Sequence, residues 1–192
     1  MPTSALSRRD QILDTAAGLF ARRGFHGVSV SDIGAACGVS GPALYKHFAS
    51  KDAVLAEMLI SISERLLAGG RDRVSAAADP AGGLRALVAF HVDFALDHPA
   101  LIVVQDRDWS SLPGEAREQV RALQRSYVDL WAAQCRAVDA GLTPAESYAR
   151  AHAAFGLINS TPHSALLPVP EMAVLLRRMA EGALELAPVP GN

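Results

Sequence analysis

The sequence predicts an all-α chain of about nine helices, a small three-helix head followed by a larger helical body. Three observations carry that expectation. Apolar residues recur at three- and four-residue steps along most of the 192 residues, and no segment alternates apolar with polar as a half-buried strand would. Capping boxes stand at Ser7–Asp10, Ser29–Asp32 and Thr143–Glu146, each a local signal for a helix start. Half of the residues are hydrophobic and a fifth are charged, so the chain can bury a sizeable core.

The first helix reads from Ser7 to Arg23, with Ile12, Leu13, Ala16, Ala17, Leu19 and Phe20 as its apolar stripe and Gly24 as its stop. Phe25 and Val28 then tuck under the stretch Ser29 to Lys51, which reads as two short helices joined by a tight turn. Ile33 and Ala36 supply one apolar face, Gly38 breaks the run, and Leu44 and Phe48 supply a second face. Ser29 caps the first of the pair and Ser40 the second, where Pro42 fits a first turn. That is a helix-turn-helix, and the expected head core is Ile12, Phe20, Ile33, Leu44 and Phe48. The recognition helix runs from about Gly41 to His47, short enough to enter a major groove end-on.

Asp32, Ile33, Gly38, Val39, Ser40, Leu44, Tyr45, His47, Phe48 and Lys51 stand in the order D-I-x-x-x-x-G-V-S-x-x-x-L-Y-x-H-F-x-x-K. In this the chain resembles the tetracycline-repressor family of bacterial transcription regulators. The resemblance implies a homodimer on a near-palindromic DNA operator, released by a small-molecule effector. It places Ser40, Gly41, Ala43, Tyr45, Lys46 and His47 toward the groove, Lys51 on a phosphate, and Ser29 and Ser31 where the family touches the backbone, Ser29 doubling as a cap. Where the family often has Lys, Gly and Thr, this chain has Gly41, Pro42 and Ala43. Two polar readers are thereby lost, and the weight moves to Lys46 and to contact of Ala43 with a thymine methyl. The Tyr45 hydroxyl and the His47 ring can each bond a phosphate.

The net charge of -2 hides a split. Through Lys51 six Lys or Arg stand against three Asp, and beyond it twelve stand against seventeen acids. A basic head on an acidic body suits a protein that turns one face to nucleic acid.

A fourth helix from Ser50 to about Ala68 carries Val54, Leu55, Met58, Leu59, Ile62 and Leu66, with Gly69 and Gly70 stopping or loosening it and Arg71 to Gly83 as a loop that can hold a ragged end of the helix. Helices follow at about Leu84 to Asp97, ended by Pro99, at Ala100 to Asp106, and from Gly114 to about Ala140. The last of these is expected to bury Val120, Leu123, Tyr127, Leu130, Trp131 and Val138. Thr143, Pro144 and Glu146 start the next helix, Pro162 breaks it, and a final helix follows Pro168 and Pro170. Residues 1–52 are expected to form the DNA-binding domain and 53–192 the ligand-binding and dimerisation domain.

The last two helices are apolar on more than one side: Tyr148, Ala151, His152, Phe155 and Ile158 lie on one stripe, and Ala149, Ala153, Gly156 and Ser160 on another. Their second side needs a partner, and the resemblance makes that partner their own copies in a four-helix bundle. The expected interface is Ala149, His152, Ala153, Phe155, Gly156, Ser160, Leu175, Leu176, Met179 and Ala183.

The resemblance also implies an effector pocket in the body, for which the polar residues among apolar neighbours are His91, Gln105, Gln124, Tyr127, Trp131 and Asn159. Few fixed charges among them favour a hydrophobic or amphipathic effector, lipid or acyl-coenzyme A ester being common in the family. No cofactor is expected, and the scattered histidines offer no metal box. Cys37 and Cys135 read as reduced core residues. An enzyme would have to draw on His91, Asp93, Cys135 or His163, with no nucleophile elbow, P-loop or glycine fingerprint in sight. An effector-independent architectural protein would leave the large apolar body without a use. The N-terminus lacks a leader pattern and no apolar run reaches the roughly 18 residues of a membrane span, so a cytoplasmic location is expected.

Overall fold

Helices begin where their caps are written. In the computed structural model, which describes residues 7–39 and 41–186, Ser7 caps α1 (Arg8–Arg23), Ser29 caps α2 (Val30–Ala36) and Thr143 caps a later helix, each with both halves of its capping box formed. The expectations for Ser40, as cap and as DNA contact, lie outside the described residues. Ten α-helices and one 3-10 turn account for the regular structure among the described residues, and no strand is among them. No single helix among them is long and apolar enough to cross a membrane.

The chain divides into two compact units, Met1–Ile62 with Ala100–Val120, and Ser63–Pro99 with Arg121–Asn192. The divisions fall inside α4 (Lys51–Ala76) and α7 (Gly114–Val138).

In the first unit, α1, α2 and the short α3 (Gly41–Leu44) pack with the start of α4. Ile12, Phe20, Phe25, Val28, Ile33, Leu44, Phe48, Leu55 and Leu59 are buried, each such side chain contributing about 1.5–3 kcal/mol when fully enclosed. Gly34, not Ala36, joins Ile33 on the inward face of α2; Ala36 is exposed. The unit also holds α6 (Pro99–Asp108), two residues longer than the sequence suggests at its C-terminal end, and the 3-10 turn Trp109–Ser111. Arg107 from α6 donates to the carbonyls of Phe20 and Ala21 at the end of α1, and the buried Asp108 accepts from the same guanidinium.

In the second unit, α10 (Val169–Ala183) packs on α5 (Pro80–Asp97) and α8 (Pro144–Ile158), and α5 on α8. Arg177 pairs with Asp93 and Arg85 with Glu181 across the α5–α10 seam. Thr161, in the short α9 (Thr161–Ser164), donates to the Ala95 carbonyl at 3.1 Å. On α8 the buried stripe is Ser147, Ala151, Ala154 and Ile158, so Tyr148 and His152 point out instead of in. Val138, expected inside, is 39% exposed at the last turn of α7.

Two expectations for the start of the body fail together. Gly69 and Gly70 do not stop α4, which runs on to Ala76, and the expected loop shrinks to residues 77–79. Asp79 caps α5 by accepting from Gly82 N at 2.7 Å, with Pro80 as its first helical residue. The glycines are there for closeness: a Cβ on Gly69 would meet Phe90 Cζ at 2.5 Å, and one on Gly70 would meet Tyr127 Cε2 at 2.7 Å. Two adjacent glycines disfavour a helix locally, and the rings that pack against them outweigh that.

Candidate nucleic-acid interface and effector site

The turn between α2 and α3 is closed by two backbone bonds, Gly38 N to Ala35 O at 3.1 Å and Val39 N to Gly34 O at 2.9 Å, with Gly38 at φ 67°. That pattern ends a helix with one left-handed residue, which glycine adopts without steric penalty. Beyond Leu44 the chain tightens: Lys46 N bonds Ala43 O and His47 N bonds Leu44 O, three residues back in each case. The recognition helix is therefore one α-turn and a tight extension, shorter than the span from Gly41 to His47 suggests.

This geometry turns Leu44 and Phe48 into the core and leaves Tyr45 55% exposed, with Lys46 exposed beside it. His47 and Ala43 are half-buried, Gly41 opens α3, and Ser31 is exposed on the first turn of α2. The Ser29 hydroxyl is occupied by its cap: it donates to Asp32 and accepts from Asp32 N at 3.1 Å. The hydroxyl and the backbone N–H of Ser29, both donating to the Asp32 carboxyl, with Arg23 nearby, hold it down at about 2.

Four of the head's six cations bond within the protein, three of them, Arg8, Arg9 and Arg23, from exposed positions. Lys51 was expected on a phosphate, but its ammonium donates to the carbonyls of Phe25 and Val28 at 2.8 Å each and lies 4.2 Å from the centre of the Phe25 ring. Arg9, which sequence reasoning missed, holds both Glu57 oxygens and the His47 carbonyl and sits 4.3 Å over Phe48. The Glu57 bond raises its pKa further. Arg8 donates to Cys37 O at 2.6 Å and Arg23 pairs with Asp32 at 3.3 Å. Arg22 and Lys46 have no partner among the described residues. No sequence signal marks Arg9, because its partners lie far along the chain.

In the second unit His91, Tyr127, Trp131 and Asn159 come together, as four of the six polar candidates for an effector site. His91 Nε2 lies 3.0 Å from Asn159 Oδ1 and its Nδ1 lies 3.4 Å from the Tyr127 hydroxyl. The rings of Phe155, Tyr127, Phe94 and Trp131 lie 5.0, 5.7, 5.9 and 6.0 Å from it. Burial pushes the His91 pKa down to about 4 against the opposing bond from Asn159, and burial raises that of Tyr127. Gln124 Nε2 is a buried donor with no acceptor among the described residues, and Trp131 Nε1 has only the Tyr127 hydroxyl nearby, outside good hydrogen-bond geometry. Gln124, Tyr127 and Trp131 share one face of α7 by their spacing. Gln105 belongs to the other unit and is not part of this cluster. Such a set gathers aromatic faces and polar atoms in one largely buried place.

On α8 the residues Ala149, His152, Ala153 and Gly156 are exposed, and a Cβ on Gly156 would meet nothing within 4 Å. On α10 Met179 is 48% exposed, Ala183 is exposed and Val174, absent from the expected set, is 65% exposed. Leu175 and Ser160 are half-buried. Leu176 was expected at the interface but is 2% exposed, on the inward face of α10, and half-buried Phe155 belongs to the ring cluster. The groups an enzyme would need are apart: Asp93 pairs with Arg177, Cys135 is buried and His163 is exposed. Among the described residues no three His, Cys, Asp or Glu gather in a position to hold a metal.

Comparison with known proteins identifies the family and the fold. Residues 12–58 match the model of the bacterial regulatory proteins of the tetR family, and residues 77–163 match that of a tetracyclin repressor-like C-terminal domain. The chain is 33% identical over 126 residues to the HTH-type transcriptional repressor KstR2 of Rhodococcus jostii (strain RHA1), a match that takes in 65% of this chain and 61% of that protein. A TetR-family transcriptional regulator from Bordetella parapertussis superposes with a TM-score of 0.81 at 25% identity, over 94% of this chain and 98% of the other. AibR, solved with isovaleryl coenzyme A and operator DNA, shares the fold with a TM-score of 0.74 at 23% identity, over 90% and 97% of the two chains.

Proposed function

This chain belongs to the tetR family of bacterial regulatory proteins, and on that premise we propose that it is a transcriptional repressor, working as a homodimer on a near-palindromic operator and released by a hydrophobic or amphipathic small molecule. The observation that carries the DNA reading is the outward pair Tyr45 and Lys46 between the buried Leu44 and Phe48. An aromatic ring more than half in water beside a partnerless lysine suits a phosphate or groove contact. Residues 1–52 supply the DNA head and 53–192 the effector and dimer body in this reading. Tyr45, Lys46, His47, Ala43, Gly41 and Ser31 form the DNA face.

The effector binds at the His91–Tyr127–Trp131–Asn159 cluster, where a neutral histidine and buried donors favour an uncharged polar end on an apolar body. The acyl end of the isovaleryl coenzyme A bound by the structural relative AibR, apolar with an uncharged thioester carbonyl, supports such an end at this cluster. The dimer forms through the exposed faces of α8 and α10.

The test starts from a duplex enriched out of a random-sequence pool by the unaltered protein. Tyr45→Ala and Lys46→Ala are each expected to weaken binding to that duplex about tenfold, the loss of one hydrogen bond to a charged group, with the dimer intact in sedimentation. Unchanged affinity in both variants, or failure of any duplex to be enriched, overturns the reading.

A further inference from the structure

We propose that Arg9 is a positioning residue for DNA recognition: by bridging Glu57 of α4 to the end of the recognition helix, it fixes the direction in which Tyr45 and Lys46 leave the surface. The inference rests on the DNA-binding reading and goes beyond it. Arg9 lies in the first turn of α1, yet its guanidinium meets three groups far along the chain. Nε and Nη2 donate to the two Glu57 oxygens, Nη1 donates to the His47 carbonyl, and the guanidinium carbon lies 4.3 Å from the centre of the Phe48 ring. The rigid fork of donors makes this possible, since two parallel bonds take up the carboxylate and a third remains for a carbonyl.

The recognition helix needs such a hold. It is a single α-turn, Gly41–Leu44, extended by bonds from Lys46 N to Ala43 O and from His47 N to Leu44 O. A helix that short does not keep its own course in water, so its direction is set where its ends are fastened. Leu44 and Phe48, at 1% and 4% exposure, fasten it through side chains. Arg9 adds a bond to the backbone at His47 and lies on the Phe48 ring from the same planar group. Tyr45 and Lys46 stand between these anchors, so a turn of the backbone there swings both. At the other end of the bridge Glu57 sits on α4 among Leu55, Met58 and Leu59, all buried, which gives the bridge a firm footing. The Arg9 and Glu57 side chains are 45% and 34% exposed, and two of the five guanidinium hydrogens are not used by these bonds. A direct phosphate contact through those hydrogens is the competing role, and the two roles predict opposite signs for one substitution.

Glu57→Gln removes an acid at nearly constant shape. If Arg9 serves by its charge, releasing it from Glu57 strengthens binding to every duplex. If it serves as a bridge, the end of α3 loosens and specific binding falls. Measured on the enriched duplex and on a scrambled duplex of the same length, Glu57→Gln is expected to lose about fivefold on the first, the difference between a hydrogen bond to a charged group and one to a neutral group, and to stay within about twofold on the second. Arg9→Lys keeps the charge, but a point donor cannot hold Glu57 and the His47 carbonyl together. It is expected to lose about tenfold on the enriched duplex and to stay within about twofold on the scrambled one. Unchanged or tighter binding of Glu57→Gln to the enriched duplex overturns the proposal, as does full affinity in Arg9→Lys or an equal loss on both duplexes. Affinity is taken per active molecule, counted by titration with the enriched duplex. A variant that merely folds less often therefore binds with unchanged affinity, and that result also overturns it.

Should the variants fail to fold, the unaltered protein decides. The NMR signal of the Arg9 Nε proton, identified by its proximity to the Phe48 ring protons, is expected to keep slow exchange with water when the enriched duplex is added. A signal lost to exchange in the complex shows that the bridge has opened and overturns the assignment. If no duplex is enriched, the DNA-binding reading fails and this proposal with it; enrichment with both variants unchanged overturns this proposal alone.

Discussion

A histidine set between a tyrosine hydroxyl and an asparagine oxygen, with four aromatic rings around it and 4% of its surface exposed, is poorly placed to carry the charge of a proton. If His91 Nε2 carries the hydrogen and donates to Asn159, Nδ1 is free to accept from the Tyr127 hydroxyl, so one neutral tautomer serves both contacts. Its folded pKa of about 4 lies below the ordinary 6.5. The stabilising effect of a buried neutral histidine is complete above 6.5 and falls away as the unfolded chain, but not the folded one, takes up a proton. The loss ends near pH 4, where both states are protonated. Between pH 7 and pH 5 it amounts to about 2 kcal/mol. Urea unfolding of His91→Gln is expected to show that much less pH dependence over the interval, and a wild-type slope in the variant would refute it. The separate loss from Asp32 begins only below its ordinary 3.8 and ends near 2. Single side chains are also where sequence reading was least able to see: Lys51 stands out in sequence only as a motif position and Arg9 not at all, and the carbonyls they bond are brought to them by folding.

The elements repeat the pattern. Starts were legible because a cap and the residue that answers it lie three positions apart: Ser7 with Asp10, Ser29 with Asp32, Thr143 with Glu146. The start of α5 is equally local, Asp79 before Pro80, but the Ala-, Asp-, Pro- and Gly-rich run around it reads as a loop. Inside α4, Gly70 is buried against Tyr127, Leu87 and Leu130. Gly70→Ala gains about 1 kcal/mol of helix propensity but forces a methyl into a space already filled by a ring, at a cost of about 1–3 kcal/mol. We expect net destabilisation, read as a lower urea midpoint with unchanged m-value, and a ring cluster disturbed enough to alter Trp131 fluorescence. A variant as stable as wild type would mean that the ring moves aside freely.

For the whole molecule, the split between a basic head and an acidic remainder was readable by counting, and so was the two-sided apolar character of the last helices. Which side goes in was not. Leu176 turns into the protomer and Val174 out of it, although both are aliphatic and two positions apart. Val174→Glu combined with Met179→Glu places charges on side chains that are 65% and 48% exposed, so the protomer should lose little stability while a dimer through this face dissociates. Sedimentation at micromolar protein is expected to give the monomer mass; a persistent dimer would move the interface elsewhere. By itself the sequence determined the all-α class, the helix-turn-helix with its Gly38 turn, the cap-marked starts and the resemblance to a regulator family, because each of these depends on residues close together in the chain. The tertiary structure alone decided the continuity of α4 through two glycines, the gathering of His91, Tyr127, Trp131 and Asn159, and the bonds of Lys51 and Arg9 to distant carbonyls. Those outcomes depend on partners tens of residues away, and a periodic pattern specifies which residues are apolar without specifying what they will meet.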